Sequence, residues 1–312
     1  MKILFLSKYQ NTIKRGAESF VLELSQRLSK KHQVDIWTDD SLSKVIKGRY
    51  DIVIPINGRV QSLKISIGRL VGGYKTLITG HSGIGIDDIW NIAVARPNVF
   101  VALTNYMADW AKQWAWGSKV VTIPNGVDLN KFSPIGQKID FNLPSPVILS
   151  VGALVPYKYH EKVIKAVGEL GYGSVLIVGE GPDKDRLQKL GEETLGNRFG
   201  IKTFNYEDMP SVYRSCDLFT LPSWDREAFG LVYLEAMASG LGVVAPNDNS
   251  RKEIIGEAGI LTDTKDLRKY VNALQTALKS KWVQKSIKQA NKFSWDKIAD
   301  SYEKIIEGMI LK

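Results

Sequence analysis

Two glutamates eight positions apart frame the stretch of this sequence that is most suited to chemistry. Glu227 lies in a polar segment, whereas Glu235 stands among Leu, Val, Ala and Met residues that predict a helix from about Phe229 to Gly240. A carboxylate on such a helix is costly to bury unless hydrogen-bond donors reach it. Free backbone N–H groups at the start of a helix bind anions. The arrangement therefore predicts a site that binds hydroxyl groups, with an anion between the two carboxylates.

Loops that begin with glycine follow two successive predicted strands. The loop Gly152–Tyr159 places Lys158 past the strand Val147–Val151, where its ammonium can reach a phosphate as a point charge or can serve as an ordinary surface group. Gly179-Glu180-Gly181-Pro182 lacks the third glycine of a dinucleotide fingerprint, so it is a weak nicotinamide signal. We interpret Asp183-Lys184-Asp185 as the acidic start of a helix rather than as a metal site.

Polar residues also follow predicted strands in the first half of the chain. His81 lies on a glycine-rich loop past an apolar strand, and its role is either polar contact with a ligand or structural. Arg15 and Gly16 precede the first helix, where a second anion contact is possible. Asn57 and Gly58 end the third strand and are positioned to contact a substrate.

Strand and helix patterns alternate along the chain, which predicts parallel, doubly wound α/β sheets. The strands predicted in the two halves are Ile3–Leu6, Gln33–Thr38, Asp51–Ile56, Thr76–Thr79, Val99–Leu103 and Lys119–Ile123, then Val147–Val151, Ser174–Val178, Ile201–Phe204, Leu218–Leu221, Gly242–Ala245 and Gly259–Leu261. A proline-containing polar stretch, 131–146, separates the halves. We expect domains at 1–134 and 135–293, with residues 294–312 forming a helix that packs back toward the first domain.

The composition bounds the possible classes of protein. The 312 residues suffice for two domains, and 44% hydrophobic with 24% charged residues is typical of a soluble protein. A single cysteine, Cys216, excludes internal disulfides and multi-cysteine metal sites, and we expect it in the core. No apolar run has the length of a membrane span or of a signal peptide, which predicts a cytoplasmic protein. The net charge of +9 indicates anionic partners or a lysine-rich solvated surface.

Two predicted helices carry residues suited to the face of an anionic membrane. Trp110 and Trp114 share one helix face, and Arg59, Lys64 and Arg69 mark a possible basic stripe on another helix. Tryptophans at such spacing equally fill a core beneath a sheet. Both interpretations stay open at this point.

Together these motifs resemble the GT-B-fold glycosyltransferases of family 4, which are retaining enzymes that use sugar nucleotides. The resemblance covers nearly the whole chain and is strongest from Val121 to Pro246. Glu227 and Glu235 match the E-x7-E motif of that family. The other matching segments are Pro124–Asp128 with Lys131-Phe132, the phosphate loop Gly152–Lys158, Gly179–Pro182, Asp217–Phe219 and Pro222-Ser223. The resemblance implies two Rossmann-like domains facing across a cleft.

The resemblance also implies roles for individual residues. Glu235 would accept the ribose hydroxyls, Glu227 would contact the donor sugar, and Lys158 would hold the diphosphate. His81 would approach the sugar from the first domain, with His81, Glu227 and Lys158 as the catalytic group. Gly16 would contact phosphates or acceptor, and Arg15, Asn57 and Gly58 the acceptor. The remaining donor-binding residues implied are Asn205 and Tyr206 near the base, and Ala228, Phe229, Gly230 and Leu231 at the helix start.

The resulting hypothesis is a retaining transferase that moves a hexose from a UDP- or GDP-sugar to a glycan or lipid-linked acceptor in cell-envelope polysaccharide or glycolipid synthesis. It needs no metal or other cofactor, binds no nucleic acid, and is cytoplasmic with peripheral contact to the inner face of an anionic membrane. Two alternatives stay open: a sugar-nucleotide epimerase on the same fold, and a non-enzymatic binder of nucleic acid or anionic surfaces.

The chain departs from the family pattern at the phosphate loop and at the first helix. Ala153 stands where the family usually has arginine, and Arg226 or Arg251 could substitute for it. Arg15-Gly16 replaces the usual pair of glycines. The first domain is also short.

Overall fold

A computed structural model describes residues 1–10, 16–56, 58–224 and 227–311 of the chain. It divides into two compact units: unit 1 is Met1–Gly126 with Trp295–Lys312, and unit 2 is Val127–Ser294. Residues 127–134, which the sequence analysis assigned to the first domain, lie in unit 2 because the ring of Phe132 packs against Tyr206 and Tyr213 with centroids 5.8 Å away in each case.

Unit 1 contains a parallel sheet whose six described strands run in the order β2-β1-β3-β4-β5-β6. Its strands are nearly continuous apolar runs because helices cover both faces of a parallel sheet. They are β1 (Lys2–Leu6), β2 (Gln33–Trp37), β3 (Ile52–Pro55), β4 (Lys75–Thr79), β5 (Val99–Ala102) and β6 (Lys119–Thr122). The helices between them are α1 (Gly16–Leu28), α2 (Leu42–Lys47), α3 (Arg59–Gly72), α4 (Ile86–Ile89), which continues into a π-helical turn (Trp90–Val94), and α5 (Asn105–Lys112).

Unit 2 repeats this architecture with a second parallel sheet, in which the six described strands run in the order β12-β11-β10-β7-β8-β9. The strands are β7 (Val147–Val151), β8 (Ser174–Val178), β9 (Phe199–Lys202), β10 (Leu218–Thr220), β11 (Gly242–Pro246) and β12 (Gly259–Thr262). The helices are α6 (His160–Leu170), α7 (Lys184–Leu195), α8 (Met209–Arg214), α9 (Leu231–Ala238), α10 (Asn249–Ile255), α11 (Leu267–Leu278) and α12 (Val283–Ala290).

The last helix, α13 (Trp295–Ile310), returns to unit 1 and completes its core. Its buried side chains Trp295 and Tyr302 belong to the same apolar cluster as Phe5 and Phe20 of the first strand and helix. The hydroxyl of Tyr302 also lies 3.1 Å from the hydroxyl of Thr79 at the end of β4. The core of unit 1 is thus built from both ends of the chain.

Each strand order reverses at one point in the sheet, between β1 and β3 in unit 1 and between β7 and β10 in unit 2. In open α/β sheets, ligands bind outside the carboxyl ends of the strands that flank such a reversal. Lys158 follows β7 and Glu227 follows β10, so the reversal in unit 2 lies between the strands that carry them. Gly16 and Gly58 open the helices that follow β1 and β3.

The positions of all twelve predicted strands are confirmed, with ends shifted by up to two residues. The third strand of unit 2 is Phe199–Lys202 instead of Ile201–Phe204, so Asn205 and Tyr206 stand in the loop beyond it. Cys216 is buried as predicted. None of the described helices is long and apolar enough to cross a membrane.

Candidate active site

An ion pair joins the loop after β7 to the loop after β10. The Lys158 Nζ lies 2.5 Å from a carboxylate oxygen of Glu227, and both side chains are about five-sixths buried, with 17% and 16% of their surfaces exposed. The two residues are 69 positions apart in sequence. The parallel sheet brings them together because both strands deliver their carboxyl ends to the same edge. The predicted phosphate-binding lysine and sugar-binding carboxylate therefore form one charged cluster.

Two glycines hold the Lys158 loop against the next loop of the sheet. A Cβ on Gly179 would lie 2.0 Å from the carbonyl oxygen of Gly152, and one on Gly181 would lie 2.4 Å from that of Leu154. The backbone N–H of Leu154 donates to Glu180 at 2.8 Å. The glycines of the second loop therefore permit close backbone approach, which the sequence analysis did not foresee.

Replacing Gly179 with Ala is expected to destabilise unit 2 by about 1–3 kcal/mol, because the new methyl group meets backbone that can only shift as a whole. Gly200→Ala is the matched control on the same sheet, since its Cβ would make only ordinary contacts at 3.8 Å and beyond. Calorimetric melting of both variants measures the difference. Equal Tm values for the two variants would contradict the packing argument.

His160 is a supporting residue that the sequence analysis missed. It is 1% exposed, its Nδ1 lies 3.0 Å from the hydroxyl of Ser150, and its ring lies against Gly152 at the start of the Lys158 loop. Burial lowers the pKa of His160 to about 4, so the ring is neutral at pH 7. The only sequence signal was a histidine at the first position of a helix that follows the loop.

Helix α9 begins between the two glutamates, as predicted. Gly230 precedes it with φ of +82°, a conformation that favours glycine. Among the described residues, no backbone carbonyl accepts from the N–H groups of Gly230 and Leu231. N–H groups at the start of a helix are where anions bind. The ring of Phe229 is buried against the ring of Phe293, with ring centres 6.1 Å apart, so only the backbone of Phe229 can face a ligand. Ala228 is half-buried beside it.

Glu235 lies inside unit 2, on the second turn of α9, and is 8% exposed. The hydroxyl of Tyr213 donates to its carboxylate at 2.8 Å, and the side chain of Tyr206 also hydrogen-bonds to it. Burial raises the pKa of Glu235 to about 6, although these hydrogen bonds and the nearby Lys131 oppose that shift. The ammonium of Lys131 lies 4.0 Å from the centre of the Tyr206 ring, in a cation–π contact. The exposed Asn205 precedes Tyr206, so the predicted base-binding residues lie next to the Glu235 cluster.

Arg251 does not replace the arginine that the phosphate loop lacks. It is 2% exposed and forms an ion pair with Asp248. It also donates to the hydroxyl of Tyr233 at 3.1 Å and to that of Ser223 at 2.7 Å. A guanidinium with this many buried acceptors anchors the β10–α9 loop, and the expectation that it binds phosphate is wrong. The other candidate, Arg226, lies outside the described residues.

The predicted residues of unit 1 are described only in part. The imidazole of His81 packs edge-on against Phe20 at 4.6 Å, and its Nε2 is buried without a hydrogen-bond partner among the described residues. Burial lowers the pKa of His81 to about 4. Gly16 and Gly58 are exposed at the starts of α1 and α3. Arg15 and Asn57 lie outside the described residues.

The model of the family described as Glycosyl transferases group 1 matches residues 133–294, which is more than half of the chain. The chain belongs to this family. The matched segment includes Lys158, Glu227 and Glu235, so the whole charged cluster of unit 2 lies within it. The resemblance inferred from the motifs is confirmed at the level of the family.

Several curated relatives of this chain are named as mannosyltransferases. The GDP-mannose-dependent monoacylated alpha-(1-6)-phosphatidylinositol monomannoside mannosyltransferase of Corynebacterium glutamicum is 30% identical over 166 residues, covering 47% of this chain and 44% of that protein. The phosphatidyl-myo-inositol mannosyltransferase of Mycolicibacterium smegmatis is 26% identical over 216 residues, which cover 64% of this chain and 56% of that protein. The chain thus spans about half the length of the curated relatives it matches.

The structure is similar to that of Anabaena Alr3699/HepE in complex with UDP and glucose, with a TM-score of 0.80 and 18% identity over 99% of this chain and 100% of that one. At this identity the likeness shows the fold alone. This likeness and the two parallel six-stranded sheets confirm the predicted GT-B fold.

Proposed function

We propose that this protein is a retaining glycosyltransferase that moves a hexose from a UDP- or GDP-sugar to a glycan or lipid-linked acceptor. The observation that carries the proposal is the cluster of Lys158, Glu227 and the start of α9 at the strand reversal of unit 2. Breaking the anomeric C–O bond leaves charge on the diphosphate. A fixed ammonium and free helix N–H groups stabilise that charge as it develops.

Each part of the donor has a matching group in the proposal. The diphosphate binds Lys158 and the N–H groups of Gly230 and Leu231, which frees the carboxylate of Glu227 for the hydroxyls of the sugar. The carboxylate of Glu235 accepts from the ribose hydroxyls, a bond for which Tyr213 and Tyr206 hold it in place. Because these groups supply the positive charge that a metal supplies elsewhere, we expect the reaction to need no metal.

The relatives and the structural neighbour support two donor classes. The name of one curated relative specifies GDP-mannose, and the HepE structure holds UDP and glucose. Both curated relatives are named for phosphatidylinositol-based acceptors, which supports a lipid-linked acceptor and a role in envelope glycolipid or polysaccharide synthesis.

Thermal-shift screening against UDP-, GDP- and ADP-sugars tests donor binding, because a ligand specific for the folded state raises the Tm by mass action. A product assay with the stabilising donor follows, with and without a lipid-linked acceptor and with and without EDTA. We expect acceptor-dependent sugar transfer that EDTA leaves unchanged. Rearranged or free sugar formed from the donor alone would instead indicate an epimerase, and no Tm shift with any donor would refute the proposal.

His81 is proposed to contact the donor sugar as a neutral hydrogen-bonding group, since its pKa of about 4 excludes an imidazolium at pH 7. His81→Ala is expected to lower kcat/KM up to about tenfold, the value of one neutral hydrogen bond. The dissociation constant of the free nucleoside diphosphate, measured by calorimetry, is expected to stay unchanged because unit 2 binds it. Full transferase activity in this variant would remove His81 from the mechanism.

Helix α3 has an unusual distribution of side chains, which bears on membrane contact. Its buried side includes Gln61, Ser62 and Ser66, whereas Leu70 and Val71 are 82% and 80% exposed. Val60 and Ile67 are exposed on the same side. An exposed apolar stripe of this kind fits a hydrophobic partner. The basic stripe expected on α3 is largely engaged by other side chains, in the pairs Arg59–Asp87, Lys64–Asp40 and Arg69–Thr76.

We propose that this apolar stripe of α3, defined by Val60, Ile67, Leu70 and Val71, docks on the inner face of an anionic membrane. The first 126 residues carry 17 Lys and Arg against nine Asp and Glu, which complements an anionic surface. The cytoplasmic leaflet has the matching negative potential. A cytoplasmic location at that leaflet follows from this proposal.

Leu70→Ser with Val71→Ser is expected to weaken binding to phosphatidylglycerol-containing vesicles at least about tenfold, because each buried aliphatic side chain contributes about 1.5–3 kcal/mol. Co-sedimentation measures the binding. Ile135→Ser is the matched control, since Ile135 of unit 2 is 85% exposed and lies outside the stripe. Equal vesicle binding by the double variant and the control would contradict docking through α3.

A further inference from the structure

Unit 2 contains a cavity that the donor-binding roles leave unassigned. It has a volume of about 460 Å³ and lies at the carboxyl ends of β10, β11 and β12. The donor residues Lys158 and Glu235 are absent from its lining. Cavities of about 300–1,000 Å³ are the usual size for small-ligand sites. The β10–α9 loop contributes Ser223 and Trp224 to the cavity and Glu227 to the donor cluster.

Two lysines face this cavity, Lys162 of α6 and Lys265 after β12. The ammonium of Lys162 lies 4.1 Å from the ring centre of Tyr159, and neither ammonium makes an ion pair with a carboxylate in the part of the chain that the structure describes. Burial is the largest cause of the lowered pKa of Lys162; Lys265 adds to the shift, whereas Glu161 and Asp263 oppose it. Two like charges that face the same space favour an anion between them.

The two carboxylates of the cavity are occupied by other partners. Asp248 accepts from the backbone N–H of Arg251 at 2.9 Å and pairs with its guanidinium. Asp263 accepts from the backbone N–H of Lys265 at 3.0 Å. One oxygen of Asp263 is therefore engaged in its own turn, but its negative charge remains and attracts Lys162. Because Arg251 offsets the charge of Asp248, these described side chains leave the cavity with one net positive charge.

The rest of the lining is suited to a sugar ring. Tyr159 and Trp224 supply aromatic surface, and Asn247 and Thr264 supply an amide and a hydroxyl. Sugars present both C–H faces and hydroxyls, which these groups match. Tyr157 stacks on Trp224 with ring centres 4.7 Å apart, which fixes this wall. Arg251 also donates to the carbonyl of Trp224 at 3.0 Å, so the wall is preformed.

We propose that this cavity binds a saccharide that carries an anionic group, either a phosphate or a carboxylate, through the ammoniums of Lys162 and Lys265. The inference goes beyond the proposed function, because it gives unit 2 a saccharide site separate from the residues proposed to bind the donor. Tyr157 directly precedes Lys158, so the wall that contacts the saccharide and the lysine that binds the diphosphate belong to one segment.

Saturation-transfer NMR with glucose 6-phosphate, glucuronate and glucose tests the proposal on the full chain. We expect either or both anionic sugars to bind, and glucose to bind at least about tenfold more weakly, as a charged hydrogen bond is worth about 1.5–3 kcal/mol. The stronger of the two anions identifies the anionic group. The double variant Lys162→Met/Lys265→Met is expected to lose this preference for charge and to keep its Tm within a few degrees.

Lys269→Met is the matched control, because Lys269 is an exposed lysine of the neighbouring helix α11 that pairs with Asp266. Its affinity for the anionic sugars should equal that of the unmodified protein. Absence of binding by both anionic sugars, or equal binding by the double variant, would overturn the proposal. Loss of binding in Lys158→Ala with retention in the double variant would also overturn it, since the sugars would then occupy the donor site.

Donor binding, measured on the same samples by the Tm shift with nucleotide sugars, separates this proposal from the proposed function. A donor-dependent shift that persists in the double variant shows that unit 2 binds donor whether or not the cavity binds a saccharide. Without a donor-dependent shift in the unmodified protein, the transferase proposal itself fails.

Discussion

Replacing Lys158 with Ala is expected to lower transferase turnover by about 10²–10³, the cost of removing one fixed group that stabilises charge in the transition state. The reason is that the diphosphate gains charge as the anomeric bond breaks, and in our proposal the ammonium of Lys158, which pairs with Glu227, binds that diphosphate. Turnover with saturating donor is the measurement. Turnover within about threefold of the unmodified protein would remove Lys158 from the mechanism.

Removal of Lys158 also leaves the carboxylate of Glu227 five-sixths buried without its partner. We therefore expect Lys158→Ala to lose about 1.5–3 kcal/mol of stability in addition to its activity. The double variant Lys158→Met/Glu227→Gln removes both charges and keeps the volume of the pair, so most of the stability should return while turnover stays low. This control separates a chemical role of the lysine from a structural one.

Glu235→Ala is expected to raise the dissociation constant of the donor by about 10- to 100-fold, since a charge-assisted hydrogen bond to ribose contributes about 1.5–3 kcal/mol. Its pKa of about 6 adds a pH signature. The ionised carboxylate is the acceptor, so donor affinity should be full above pH 7 and fall as the pH drops through 6. Calorimetric titration with the nucleotide sugar between pH 5 and pH 8 measures it, because its diphosphate has no group that titrates in this range.

Stability should depend on pH in the opposite direction through the same group. The pKa of Glu235 is raised above its ordinary value by burial, so its contribution to stability is fully present below about pH 4.5 and is lost as the pH rises through 6. In Glu235→Gln, both the affinity change and the stability change in this window should disappear. A pH dependence of donor affinity that survives in Glu235→Gln would assign it to another group.

Much of the fold was predictable because buried parallel strands are continuous apolar runs between polar loops. The helices α2 and α12 were missed because each is short, with six and eight residues, and because two of the three buried residues of α12 are polar. The strand β9 was placed two residues late because Phe204 extends its apolar pattern. A helical pattern was correct for α3, but periodicity alone could not show that its apolar side faces outward.

The candidate site was predictable where one segment contains it, as in Glu227 through Glu235. Contacts between distant segments were beyond the sequence. Nothing in the pattern joins Lys158 to Glu227 or Tyr213 to Glu235, because those pairs depend on strand order. Arg251 was a plausible phosphate ligand by charge, and only its burial beneath the β10–α9 loop shows that it is structural.

The return of α13 to unit 1 has a consequence for synthesis on the ribosome. The aromatic side chains Trp295 and Tyr302 fill the same core as Phe20, which is translated about 280 residues earlier. Unit 2 is contiguous and can fold as soon as Ser294 has emerged. The core of unit 1 stays incomplete until α13 has also been translated. The first part of unit 1 is therefore translated before unit 2, but unit 1 is completed after it.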